Sequence, residues 1–463
     1  MSLFSSMSER GSKLPGESSD GRMKYVLIVP SGMSDGPVDE LDGLTPMQAA
    51  NLPNLGALAA KGRVGTVRTI PDGISPSSQA GLLTILGYDS DSEHAGRANF
   101  SAIPLHVENE EYDWLLSFCF VTIDPDGDEL LFPTAGIIEP TEARLLIESL
   151  SEAIGDEFGD EDINLEFFTG HGHEHVLIDH SGSHYYDDLM TVPATELVGQ
   201  SVRKFLPHGA TLSRRESKET ARFLNRIMDL SKRVFAEHEV NRTRRELGDP
   251  VATQVWIWEP CRREELIPFK KRFPGMRCAL VTADDLAAGI ASAAGWDRLD
   301  IYDDSSRITA HLRSGGDTIN ERMICDIRDR AVRAIHSREY DIITIYLREA
   351  GDVSLGGDFA GKITVLELID REIVGPVLEA LRESTGGDDG KWRLIVVPEL
   401  STLTQEQRHD VRPVPFVIAG SQVTSVVHFD AFHEAAADEA DLHIESGSDF
   451  LEYALYNGLR TRQ

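Results

Sequence analysis

The sequence predicts an α/β protein with a parallel-sheet core, helices on both faces of that sheet, and a second α/β domain inserted into it. Three observations predict this class. Apolar runs of five to eight residues end in short polar turns, the pattern of strands covered on both faces. Helical patterns lie between those runs, as crossover connections require. The texture also changes from about residue 96 to residue 249, where acidic loops dominate.

Taken in order, residues 1–22 lack an apolar stretch and are rich in Ser, Gly and charge. They read as a disordered leader, with Met23 a candidate start. KYVLIV (24–29) reads as a buried strand ending in a small polar turn, Pro30 to Gly36. In α/β enzymes the carboxyl ends of strands present the reactive groups. TPMQAANLPNLGALAAKG reads as one amphipathic helix closed at Gly62, and GTVRTI after it as a strand parallel to the first. The insert, 96–249, holds the strand-like LLSFCFVTI and HVLI, acidic helices, and a long amphipathic helix ending near Asn241. Residues 250–463 return to the outer domain with 23–95. There DIITIYL (341–347), WRLIVVPEL (392–400) and PVPFVIAG (413–420) read as buried strands, and the stripe in ITVLELIDREIVGPVLEAL as core packing.

A chain of 463 residues suits two domains, and 41% hydrophobic with 26% charged residues is globular. The net charge of −32 argues against binding to nucleic acid or to anionic membrane, both of which need a positive surface. No run approaches the roughly 18 apolar residues of a spanning helix. Cys119, Cys261, Cys278 and Cys325 lie far apart without a CxxC pair, so free thiols in a reducing cytoplasm are expected.

Six stretches carry a resemblance: GMSDGPVDELDGLTPMQAANLPNLGALAAKGRVG, SSQAGLLTILGYD, GRANF, VNRTRRELGDPVATQVWIW, GGDFAGKITVLELID and RHDVRPVPF. In this collinear order they resemble the cofactor-independent (2,3-bisphosphoglycerate-independent) phosphoglycerate mutase family of archaeal type, within the alkaline phosphatase superfamily. The resemblance implies an alkaline-phosphatase-like core with an inserted substrate domain, and a small phosphorylated acid as substrate. It also implies two divalent metals (Mn, Zn or Mg) that activate a serine for phosphoryl transfer between 3- and 2-phosphoglycerate.

Position by position, the resemblance puts the nucleophile at Ser78 and a metal-binding histidine at His409. Family metal-binding aspartates fall on Ser31 and Gly351, and family histidines on Leu355 and Leu400. Glu399 stands for a further Asp, Gln79 replaces the Asp after the nucleophile, and Asp352 lies one residue from the expected ligand. The remaining metal set is thus Glu399, His409 and Ser31, too few to compensate two divalent charges. Of the substrate arginines, Arg97 survives, whereas Ser117 and Glu174 occupy two expected positions. Glutamate there turns attraction for an anion into repulsion.

Two clusters have plainer readings. Ser78 alone would read as a helix N-cap. His171, His173, His175, His180 and His184 read as histidines bunched in a glycine-rich surface turn, the alternative being that the first three, on one strand face, converge on a metal. Asp35, Arg242, Arg244 and Arg245 read as structural ion-pair partners. The expectation is a mutase-family member with its two-metal site largely lost and its activity weak or absent. The alternatives are a binding or regulatory protein on that scaffold, or a Ser78-dependent esterase or phosphatase using Glu399 or His409 as base.

Overall fold

In a computed structural model the described residues are 22–456, apart from 89–95, 108–109, 111, 137, 160–162, 171–172, 211–213, 300 and 302–320. Residues 1–21 of the predicted leader and His171 therefore lie outside the described residues. An eight-stranded sheet forms the larger layer. Its order is Asp297–Arg298, Cys278–Val281, Ile342–Leu347, Lys24–Pro30, Trp392–Val396, Val414–Gly420, Arg63–Val67, His443–Ile444. All run parallel except Val414–Gly420, which is antiparallel to both neighbours. Lys24–Pro30 is buried at every residue, as its unbroken apolar run requires. One face packs on helices Pro53–Lys61, Glu321–Ser337 and Phe359–Ile369, the other on Ser78–Ile85, Asp285–Ala293 and Phe450–Tyr456.

The first and second strands run parallel but do not pair, because the strands beginning at Trp392 and Val414 stand between them. The single helix expected over 45–62 is two, Pro46–Ala49 and Pro53–Lys61, since Pro53 lacks an N–H and can only begin a new helix. The long amphipathic helix spans Arg215–Ala236 and stops short of Asn241, which lies in a separate helix, Glu239–Leu247, capped by His238.

Helix Pro53–Lys61 has no side-chain cap of its own. Asp370, in a π-helical turn Asp370–Val374, fills that role by accepting from Leu55 N at 2.7 Å and Asn54 N at 3.0 Å. Asp370→Ala is expected to lower stability by about 1–2 kcal/mol, read as a fall in the urea midpoint.

A second sheet contains Trp114–Ile123, Leu130–Phe132, Leu165–Phe168 and Glu174–Asp179, all antiparallel. Gln254–Cys261, assigned from sequence to the outer domain, pairs with Trp114–Ile123 instead. The change of sheet thus falls after Cys261. Helices Pro140–Phe158 and Arg215–Ala236 bury their apolar stripes on this sheet. Among the described residues no helix is long and apolar enough to cross a membrane. All four cysteines are free.

Candidate active site

The predicted site residues meet at the carboxyl ends of the central parallel strands, where α/β folds place ligands. The first strand ends at Pro30, and Ser31 follows it, buried. Gly32, at φ +63°, turns the chain so closely over Gly351 that a Cβ there would lie 2.6 Å from the Gly351 Cα. Gly81 does the same for the helix Ser78–Ile85. A Cβ on it would stand 2.1 Å from the Glu399 carbonyl oxygen, so only glycine lets the helix N-terminus rest on that segment.

Ser77 caps this helix by accepting from Ala80 N at 3.2 Å. Ser78 is therefore released from the capping role that its sequence alone would suggest. Its hydroxyl is a hydrogen-bond partner of Glu399 and of Tyr346.

Glu399 has no exposed surface. Its Oε1 accepts from Ser31 Oγ at 2.5 Å and Tyr346 Oη at 3.2 Å, while Oε2 has no partner. Burial pushes its pKa up to about 7, although Ser31, Ser78 and Tyr346 draw it back. His409 sits in the hairpin Ser401–Leu403/Arg408–Asp410 opposite Thr402, with Nδ1 3.1 Å from Thr402 Oγ1. Burial lowers its pKa to about 4, so the ring is neutral at physiological pH.

The positions at which the resemblance expected further ligands are closely packed. Leu400 is fully buried in a small apolar cluster with Ile70 and Ala80. Leu355 is 4% exposed, and a Cβ on Gly351 would already stand 3.2 Å from Ser31 Oγ. Ser31, Ser78, Gly351, Asp352, Leu355 and His409 surround a cavity of about 40 Å³. That is room for water molecules only, at about 10–15 Å³ of such volume each.

The site's two arginines are already paired. Arg97, in the helix Arg97–Ala102, donates from Nε to Glu174 at 2.5 Å, with Nη2 also on that carboxylate. Burial opposes the charge on Glu174, yet Arg97 and His173 hold it well below the usual carboxylate range. Arg348 was missed by the sequence reading. It donates to Asp352 at 2.6 Å and to His173 Nδ1 at 3.1 Å, with Asp284 at 3.6 Å. The motif YLREAGD contains both it and Asp352, but nothing local pointed to His173 and Asp284, which come from two distant segments.

Ser117 is buried within the second sheet opposite Val176 and Trp258 and does not line the cavity. Among the described residues the histidines do not converge. His173 faces the cavity, whereas His175 is packed between Phe118 and Phe120, and burial lowers its pKa to about 3. His180 bridges Asp113 and Glu166, and His184 lies 2.6 Å from Asp179. Among the described residues no three His, Cys, Asp or Glu side chains are grouped to hold a metal ion. Of the expected structural partners, Asp35 pairs with Lys362 and Arg244 with Glu142, both at close range. Arg242 and Arg245 donate to the Glu237 and Ala236 carbonyls.

A serine-bearing centre at the carboxyl end of a mostly parallel sheet, beside a separate antiparallel layer, defines an α/β protein whose site lies at its strand ends. The family model of 2,3-bisphosphoglycerate-independent phosphoglycerate mutase matches residues 59–241. The mutase 2 of Methanothermobacter thermautotrophicus is 30% identical over 412 residues, covering 89% of this chain and 92% of its own. The probable mutase of Geobacter sulfurreducens is 29% identical over 436 residues, covering 94% of this chain and 100% of its own. The chain belongs to the 2,3-bisphosphoglycerate-independent phosphoglycerate mutase family. Its fold is shared with a solved Pyrococcus horikoshii protein, at a TM-score of 0.63 and 21% identity over 94% of this chain and 97% of that one.

Proposed function

We propose that this family member is a binding or regulatory protein on the mutase scaffold, with mutase activity through Ser78 weak or absent. One observation carries the reading: Glu399, the carboxylate that Ser31 and Tyr346 hydrogen-bond, is engaged by hydroxyls where the resemblance expects a metal ligand. A divalent ion in so buried a place needs several anionic or imidazole ligands. Here Glu399 holds its proton near neutrality, and Gly351, Leu355 and Leu400 offer no donor side chain. The residues present do not fit two divalent ions. The charge around the cavity supports the same reading, because Asp284, Asp285, Asp352 and Glu174 outnumber Arg97 and Arg348. A phosphorylated acid such as the substrate named for the relatives would meet repulsion there.

In this proposal the outer domain comprises 23–95 and the C-terminal part, and the insert runs from 96 through the strand ending at Cys261.

The test is elemental analysis of freshly purified protein together with a mutase assay in added manganese. The expected result is well below one equivalent of metal and no turnover above background. Two equivalents with turnover would overturn the proposal.

A second reading is favoured by one contact, the hydrogen bond between Ser78 and a carboxyl that titrates near 7. A base poised at neutrality can activate a serine for ester hydrolysis without metal. Hydrolysis of p-nitrophenyl esters that is lost in Ser78→Ala and Glu399→Gln would establish that reading, and its absence would remove it.

A further inference from the structure

Beside the closed centre, between the second sheet and the helix Ser78–Ile85, lies a cavity of about 290 Å³. That is close to the lower end of the range for small-molecule sites, about 300–1,000 Å³. Trp258 and Leu83 contribute apolar wall, and three carboxylates, Glu174, Glu196 and Glu259, stand around it. Arg97 is the one arginine or lysine on its described wall. Its guanidinium is already held by Glu174 through two nitrogens. The wall therefore has three carboxylates against one engaged guanidinium, and an incoming anion would find no free cation.

Glu259 is the carboxylate whose charge is least compensated. Its one hydrogen bond is a long one, 3.4 Å from the Arg97 backbone N–H. Burial outweighs the attraction of Arg97 and raises its pKa. It is also aimed deliberately. The pairing of Trp114–Ile123 with Gln254–Cys261 shifts register between Leu115 and Ser117, and Glu259 sits in the resulting bulge at φ +50°. Bulges re-aim side chains next to binding sites. Thr191 Oγ1 holds the Glu259 N–H at 2.9 Å, which locks the turned backbone. The bulge leaves Trp258, one residue earlier, on the same cavity.

We infer that this cavity takes a small organic amine, its protonated nitrogen against the Glu259 carboxylate and its apolar body against Trp258. Ammonium groups are attracted both by an under-compensated carboxylate and by an indole face. The protein's net charge of −32 raises the local concentration of such cations further. The inference deepens the binding reading proposed above and rests on it.

The experiment is calorimetric titration of the full chain with benzylamine, benzyl alcohol and 3-phosphoglycerate. Benzylamine is expected to bind, benzyl alcohol at least about tenfold more weakly, and 3-phosphoglycerate not to compete. Glu259→Gln is expected to weaken benzylamine by about tenfold or more, with Glu196→Gln at the exposed rim changing it less. Equal affinity for amine and alcohol, or displacement of the amine by 3-phosphoglycerate, would overturn the inference. The amine–alcohol comparison uses the unaltered chain, so it decides the matter even where Glu259→Gln fails to fold. Failure of benzylamine in metal-free, turnover-free protein sinks this inference alone. Two equivalents of metal with turnover sink the reading beneath it.

Discussion

Lys362→Met is expected to lower the unfolding free energy by about 3–5 kcal/mol, the usual result of removing one partner of a buried ion pair. Lys362 has no exposed surface and Asp35 is 2% exposed, with Nζ 2.7 Å from Oδ2. Lys362 also donates to the Thr402 carbonyl at 3.0 Å. Asp35 in turn accepts from Thr404 Oγ1 at 2.6 Å and Gly36 N at 2.7 Å. This one pair ties the turn after the first strand to the helix Phe359–Ile369 and to the hairpin carrying His409, so it holds up the floor of the site. Methionine keeps the volume but leaves the Asp35 charge buried. The double variant Asp35→Asn/Lys362→Met removes that charge and is expected to recover part of the loss. Urea midpoints of the two variants check this, and a double variant no better than the single one would count against the ion-pair account.

Glu399 and Glu349 are each expected to withdraw stability as pH rises from about 4.5 to about 7. The buried neutral rings of His175 and His409 contribute the opposite way, since their lowered pKa values favour folding as pH rises toward 6.5. Glu399 and Glu349 both have folded-state pKa values raised by burial from 4.5 to about 7. Between those values the folded state binds more protons at these two groups than the unfolded state does, so their titration favours unfolding as pH rises. The penalty is absent well below 4.5 and complete well above 7, amounting to roughly 3 kcal/mol per group. Glu349 isolates the effect, since both its oxygens lack hydrogen-bond partners and it is 6% exposed. Glutamine has the shape of the protonated glutamate. Glu349→Gln should therefore nearly match the unaltered protein at pH 4.5 and exceed it by about 3 kcal/mol at pH 8. Denaturant titrations at the two pH values measure the difference, and an equal offset at both would refute the assignment.

Much of the site was legible along the chain, because family positions survive as local motifs. Ser78 in PSSQAG, Glu399 in VVPELST and His409 in RHDVRPVPF were each found from neighbours within a few residues, and all three lie together at the ends of the central strands. The identities of Gly351, Leu355 and Leu400 are equally plain along the chain, and a glycine or leucine carries no metal donor in any fold. The capping alternative for Ser78 was settled by one hydrogen bond, which goes to Ser77. Arg97 was found, but not its engagement by Glu174, 77 positions away. Arg348 and Lys362 were not singled out, since a charged residue in a helical pattern reads as solvated until its partners are known.

By itself the sequence determined the buried strands, the crossover helices and the family, because apolar run length and motif order are local or collinear properties. Only the tertiary structure decided strand order, with Trp392–Val396 and Val414–Gly420 entering between the first two strands. It alone decided that Gln254–Cys261 joins the second sheet, that the arginines are neutralised by distant carboxylates, and that Glu259 turns into a cavity. Each of these depends on which distant segment supplies the partner. Pairing, burial and charge compensation are set by long-range contacts, and no periodicity along the chain encodes them.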